Sequence, residues 1–235
     1  MLEQLKQEVY EANLLLPEYG LVIFTWGNVS AVSRKQGRIV IKPSGVEYED
    51  LTPEKMAVTD LEGRKTERGY EPSSDTLTHA VLYERFPEIG AVVHTHSPWA
   101  TSWAQAGRDI PCYGTTHADY ILGEIPCVRG LTREETEGEY ERNTGLVIAE
   151  ELERRRLDPL RVPVVLCRNH GVFAWGRDAM EAVHNAAAAE EIAKMAARTE
   201  QISPFAEPAT EALMNRHYFR KHGEGAYYGQ QPGQK

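Results

Sequence analysis

Apolar runs of strand length, near residues 21–25, 38–41, 57–60, 91–96, 162–168 and 172–175, are set between stretches of helical periodicity. Each element buries one face against a neighbouring layer, so this order predicts a central, largely antiparallel sheet flanked by helices. Leu2, Leu5, Val9, Ala12 and Leu16 recur at helical spacing, which predicts a helix over 2–16 that ends before Pro17. Ser74 or Asp75 can cap a helix running to about residue 86, where Pro87 stops it. Pro98 suits the first turn of a helix reaching Gly107. Residues 132–156 read as one long charged helix, 178–201 as an Ala- and Glu-rich one, and 209–222 as a last helix before an aromatic tail. No repeat or Pro-rich linker divides residues 1–235, which read as a single α/β domain with that tail at its C-terminus.

A chain of 235 residues is long enough for one well-filled core. The net charge of −9, with no long basic stripe, excludes a general nucleic-acid binder. The three cysteines, Cys112, Cys127 and Cys167, form no C-x-x-C pair and read as reduced thiols. The opening residues lack a basic segment followed by an apolar one, and the longest apolar runs fall far short of the roughly 20 residues that span a bilayer. A cytoplasmic protein with no membrane partner is expected.

Chemistry concentrates in the histidines. His94 and His96 close an apolar run, and on a strand positions i and i+2 face the same way, about 7 Å apart along the chain. Such a pair is often no more than a polar strand end, but His170, beside Gly171, closes a second apolar run. Three imidazoles with an open position suit a catalytic divalent metal, and no cysteine has ligand spacing. His79 and His184 fall within helices and read as packing or surface residues; His117 lies beside Asp119 in a loop. Nucleotide-binding glycine loops are absent. Instead three donor-rich loops appear: Gly27-Asn28, Lys42-Pro43-Ser44-Gly45 and Ser73-Ser74, the last ahead of a helix whose N-terminus favours an anion.

Several longer stretches carry a resemblance: TWGNVSAV at 25–32, IKPSGV at 41–46, PSSD at 72–75, VHTHS at 93–97, GTTHADY at 114–120, FAWG at 173–176, HYFRKHG at 217–223 and AYYGQ at 226–230. With these the chain resembles the class II aldolase/epimerase family over nearly its whole length. The resemblance implies a three-layer α/β/α fold around a mainly antiparallel sheet. It implies a homotetramer with active sites between subunits, and one divalent metal per subunit, zinc foremost, with manganese or cobalt as other suitable ions. Metal ligation falls to His94, His96 and His170, with Asp75 at or near the metal. Gly27, Asn28, Ser44, Gly45, Ser73 and Ser74 fall where the family holds a substrate phosphate, with Lys42 close by. Asp119 and Tyr228 match its two acid/base groups. One departure is Cys167-Arg168-Asn169 ahead of His170, where small or imidazole-bearing residues are expected.

The implied activity is inversion at C4 of L-ribulose 5-phosphate to give D-xylulose 5-phosphate. No carbonyl acidifies the hydrogen on C4, but the C4 hydroxyl is β to the C2 carbonyl, so retro-aldol cleavage of C3–C4 is open. A Lewis-acidic metal favours that cleavage, and re-addition on the other aldehyde face needs a proton carrier on each side. No nicotinamide is required. The alternative within the family is an aldolase of the L-fuculose 1-phosphate type, in which glutamate typically follows the paired serines; here Asp75 stands there. A non-catalytic scaffold like the adducin head should lack the three histidines.

Overall fold

The computed structural model describes residues 2–223 and 226–227. Strands β1 (Asn28–Ser33), β2 (Arg38–Ile41), β3 (Ala57–Thr59), β4 (Ala91–Thr95), β5 (Cys127–Val128), β6 (Val164–Cys167) and β7 (Gly171–Gly176) make one seven-stranded sheet, in the order β3-β2-β1-β4-β7-β6-β5. Every pairing is antiparallel except the short edge pair β5–β6.

Strand side chains alternate between two faces, and the core divides accordingly. Val93, Val172, Ala174, Val164 and Leu166 point to one layer; Val92, Phe173, Trp175, Val165 and Cys167 point to the other. The first layer is closed by α1 (Leu2–Glu18), α3 (Pro98–Ala106) and α7 (Ala179–Ile202), through Val9, Leu16, Trp103 and a run of alanines that lets α7 lie close. The second is closed by α2 (Thr76–Arg85) and α6 (Tyr140–Arg155), through Leu82, Tyr83, Ile148 and Leu152. The expected three layers are present. Helices α4 (Thr115–Ala118), α5 (Arg133–Glu137) and α8 (Glu211–His222) complete the set among the described residues. No helix of the described residues is long and apolar enough to cross a membrane.

Four local expectations are corrected. Residues 21–25 are not a strand: Ile23 and Phe24 are exposed, Phe24 has φ 53°, and the strand starts at Asn28. The polar residues of β1 hid it, yet Ser30 is buried because Tyr83 and His79 on α2 both meet its hydroxyl at 2.7 Å. Helix α1 runs past Pro17, which sits in its last turn. The stretch 132–156 breaks at Gly138, where an added Cβ would lie 2.9 Å from the Glu134 carbonyl, and α6 starts afresh at Tyr140. Asp75 holds the N-cap position of α2, but its side chain makes no capping bond; it turns elsewhere.

Candidate active site

Strand β4 ends at Thr95, so His94 is its penultimate residue and His96 lies just beyond it. Next to it, β7 begins after the turn that carries His170. The three rings cluster, with centroids 4.9 Å (His94–His96), 4.7 Å (His94–His170) and 5.1 Å (His96–His170) apart. One nitrogen from each lies within 4.8 Å of the others. His94 Nδ1 donates to the Val172 carbonyl at 3.0 Å, which leaves Nε2 as a lone pair. That lone pair faces His96 Nε2 at 3.0 Å. Ring nitrogens so close require a proton or a cation between them, and the donor set fits a divalent metal. Burial lowers the pKa of His170 to about 4, with His94 and His96 adding to the effect, and lowers that of His96 as well. Neutral imidazoles are the ligating form.

Gly171 makes this closeness possible, though not as a left-handed turn residue. The left-handed position is Asn169, at φ 61°. A Cβ on Gly171 would stand 2.7 Å from the Thr95 carbonyl and 2.8 Å from His96 Cδ2. The departure at Arg168 is accommodated outside the cluster: its guanidinium lies against Gly107 at the end of α3.

Beside the histidines, Asn28 Nδ2 donates to Asp75 Oδ2 at 2.7 Å and to Ser73 Oγ at 3.1 Å. Burial pushes the Asp75 carboxyl up, but His94, His79 and the Asn28 amide outweigh it and hold it below the usual range. Asp75 adjoins the three-imidazole cluster without being one of its members. The loops 42–45 and 72–75 are stitched together, Ser44 N–H donating to Glu71 O at 2.9 Å and Ser73 N–H to Lys42 O at 3.1 Å. Those two amides are therefore committed to the loops themselves rather than to an anion. Lys42 Nζ donates to the carbonyls of Val46 (2.7 Å) and Thr25 (3.2 Å), and burial lowers its pKa to about 8 against the opposing charge of Glu47. Gly27, at φ 73°, brings its loop against the His94 carbonyl, which an added Cβ would approach to 2.9 Å.

One cavity of about 530 Å³ collects nearly all of this: Gly27, Asn28, Lys42, Ser44, Gly45, Ser73, Ser74, Asp75, His94, His96 and His170 line it. So do Trp26, Tyr140 and Glu141, which the sequence reading missed; the helix-breaking Gly138 was the available signal for the last two. Asp119 is not among the lining residues. It ends α4 and meets α8, with Arg220 at 2.7 Å, His217 at 3.1 Å and Lys221 at 3.6 Å. Tyr228 lies outside the described residues. His79 is fully buried with its pKa lowered to about 3 by desolvation, despite the opposing charge of Asp75, and His184 is exposed, as expected of packing and surface residues. His117 is buried, and burial lowers its pKa to about 4.

Compared with known proteins, residues 7–197 match the family described as Class II Aldolase and Adducin N-terminal domain. The chain is 56% identical over 229 residues, 97% of its own length and 100% of the relative's, to L-ribulose-5-phosphate 4-epimerase UlaF of Salmonella paratyphi C, and equally to that of Salmonella typhi. Among solved structures, an L-fuculose 1-phosphate aldolase superposes with TM-score 0.78 at 22% identity, covering 93% of this chain and 96% of that one. An L-fuculose-1-phosphate aldolase from Thermus thermophilus gives 0.68 at 26% identity, covering 88% and 99%. The first likeness is one of fold.

Proposed function

The chain belongs to the Class II Aldolase and Adducin family, and we propose that within it the chain is a 4-epimerase interconverting L-ribulose 5-phosphate and D-xylulose 5-phosphate. The observation that carries this reading is the single cavity in which three clustered imidazoles adjoin a lysine- and hydroxyl-lined recess. The identity to curated 4-epimerases over the whole of their length supports the same reaction.

His94, His96 and His170 would hold the metal, for which zinc is the proposed ion; bound there, it would supply Lewis acidity to the carbonyl end of the substrate. Ser44, Ser73, Ser74 and Lys42 hold the phosphate, with Asn28, Gly27 and Gly45 shaping the recess. Asp75, kept anionic and fixed by Asn28, faces the imidazoles and balances the positive charge at that end. The C3–C4 bond breaks with its electron pair left on the three-carbon fragment, while the C4 hydroxyl gives its proton to a base. The resulting glycolaldehyde phosphate stays tethered by its phosphate, turns, and is attacked on its other face, taking a proton back from an acid on that side.

Asp119 and Tyr228 are the proposed proton carriers. Because Asp119 does not line its own chain's cavity, this role is assigned in a homotetramer, where one subunit serves its neighbour's site. The test is a coupled assay for D-xylulose 5-phosphate formed from L-ribulose 5-phosphate by the purified protein. Turnover that ceases on chelation and returns with zinc is expected. No turnover in metal-loaded protein, or full turnover after exhaustive chelation with no metal detected, would overturn it.

A further inference from the structure

Tyr140 has no part in the reaction as set out above, yet it occupies the histidine end of the cavity. Its ring centroid is 6.0 Å from that of His170, and its hydroxyl lies 3.5 Å from His170 Nδ1, the outer limit for a hydrogen bond. That long contact is the hydroxyl's only hydrogen bond among the described residues. The backbone beneath it is fixed. Thr78 Oγ1 on α2 donates to the carbonyl of the next residue, Glu141, at 2.6 Å, and Thr144 Oγ1 donates to the Tyr140 carbonyl at 2.9 Å. The break at Gly138 sets this first turn of α6 against the cavity.

The other polar groups at this end are poor donors to a substrate. Carboxylates of Asp75 and Glu141 accept hydrogen bonds and cannot give them, and the imidazoles are the groups that would hold the cation. Trp26 carries an indole N–H but is half exposed, its ring leaning on His96 at 6.4 Å. A phenol hydroxyl, by contrast, both donates and accepts. On the epimerase reading, the phosphate on C5 occupies the opposite recess and the oxygens on C2 and C3 go to the histidines. Besides the C4 hydroxyl, whose proton goes to the base, one polar group of the substrate is then left to satisfy, the C1 hydroxyl. Resting on that reading, we infer that the Tyr140 hydroxyl binds the C1 hydroxyl and makes the site selective for ketose phosphates that carry it.

The experiment pairs Tyr140→Phe with D-xylulose 5-phosphate and its 1-deoxy analogue, both run in the reverse direction by metal-loaded enzyme. Wild-type enzyme is expected to favour the hydroxylated substrate by roughly tenfold or more in kcat/KM, since a site built to bond a hydroxyl rejects the analogue without it. Tyr140→Phe is expected to raise KM for D-xylulose 5-phosphate severalfold, leave KM for the analogue unchanged, and bring the two within about twofold, with metal affinity by chelator competition unaltered. A variant that keeps the wild-type discrimination overturns the inference alone. So does one whose main defect is weaker metal binding, because the hydroxyl would then serve His170. Wild-type enzyme that epimerises neither compound overturns the reaction as well.

Discussion

The His94 imidazole stacks on the phenyl ring of Phe173, with centroids 4.1 Å apart and planes 17° from parallel. Phe173 is fully buried, and the edges of its contacts with His79 (5.9 Å) and His170 (6.0 Å) make one ring a shelf under the cluster. With Nδ1 tied to Val172, the shelf leaves His94 a single orientation. Phe173→Leu is therefore expected to weaken metal binding at least tenfold, as changes behind metal ligands commonly do. Leu152→Ala, a packing loss in the same layer on α6, gives the baseline. Equal metal affinity in the two variants, by chelator competition, would remove Phe173 from the site's support.

Gly171→Ala tests the close approach of β7 to the histidines. The new methyl would meet backbone as well as rings, with the Thr95 carbonyl at 2.7 Å and His94 Cε1 at 3.2 Å. A flexible side chain could yield, but paired strands cannot part without losing ladder bonds. The expected cost is about 1–3 kcal/mol of stability, together with reduced metal content. Denaturant unfolding of metal-free protein separates the two effects; an unchanged midpoint would show that the strands accommodate the methyl.

Asp119 predicts an acid-side dependence of stability. Burial would raise its carboxyl, but bonds from Arg220 and His217 and the charge of Lys221 carry it below the ordinary range. For a carboxylate with a depressed folded pKa, the stabilisation is present above the unfolded value near 3.9 and is lost as pH falls through the folded one. Asp119→Asn should cost on the order of 1 kcal/mol at pH 7. Thermal melts should show the gap from wild type closing as pH falls below the ordinary carboxylate range near 4. A gap that does not vary with pH would mean the ion pairs contribute nothing measurable.

These residues also mark what the sequence could and could not disclose. His94 and His96 were legible because a strand's period of two puts them on one face, and His170 because it closes a neighbouring apolar run. The donor loops were legible as loops, but that Ser44 and Ser73 spend their amides on Glu71 and Lys42 depends on two loops meeting in space. The run at 21–25 misled because apolar composition was taken for burial, while the real strand, β1, hides Asn28 and Ser30 by giving them partners on α2 and the loop before it. Nothing local announces that Tyr140 faces the histidines or that Asp119 meets α8 about a hundred residues on. Contacts of that reach are set by packing of whole layers, to which a local pattern is blind.

Lys42 gives the phosphate recess a pH signature of its own. Burial takes its pKa to about 8, while two backbone carbonyls, of Thr25 and Val46, hold the ammonium where it lines the cavity. The charged form attracts a phosphate dianion, so a bound phosphate raises this pKa. Well above pH 8 the free enzyme's lysine is largely neutral, and each binding event must take up a proton. By linkage, KM for L-ribulose 5-phosphate should be nearly flat around pH 7, about double by pH 8, and then rise by up to about tenfold per pH unit. Substrate titration is not a competing cause, since the second phosphate pKa lies near 6. Lys42→Met should raise KM at pH 7 and abolish the rise above pH 8. Ser44→Ala removes one hydroxyl donor from the same recess without touching the lysine, so it should raise KM while keeping the wild-type pH slope. Initial-rate measurements on the three proteins between pH 7 and 9.5 decide the matter. A slope that survives in Lys42→Met would assign the titration to another group and take the phosphate contact away from Lys42.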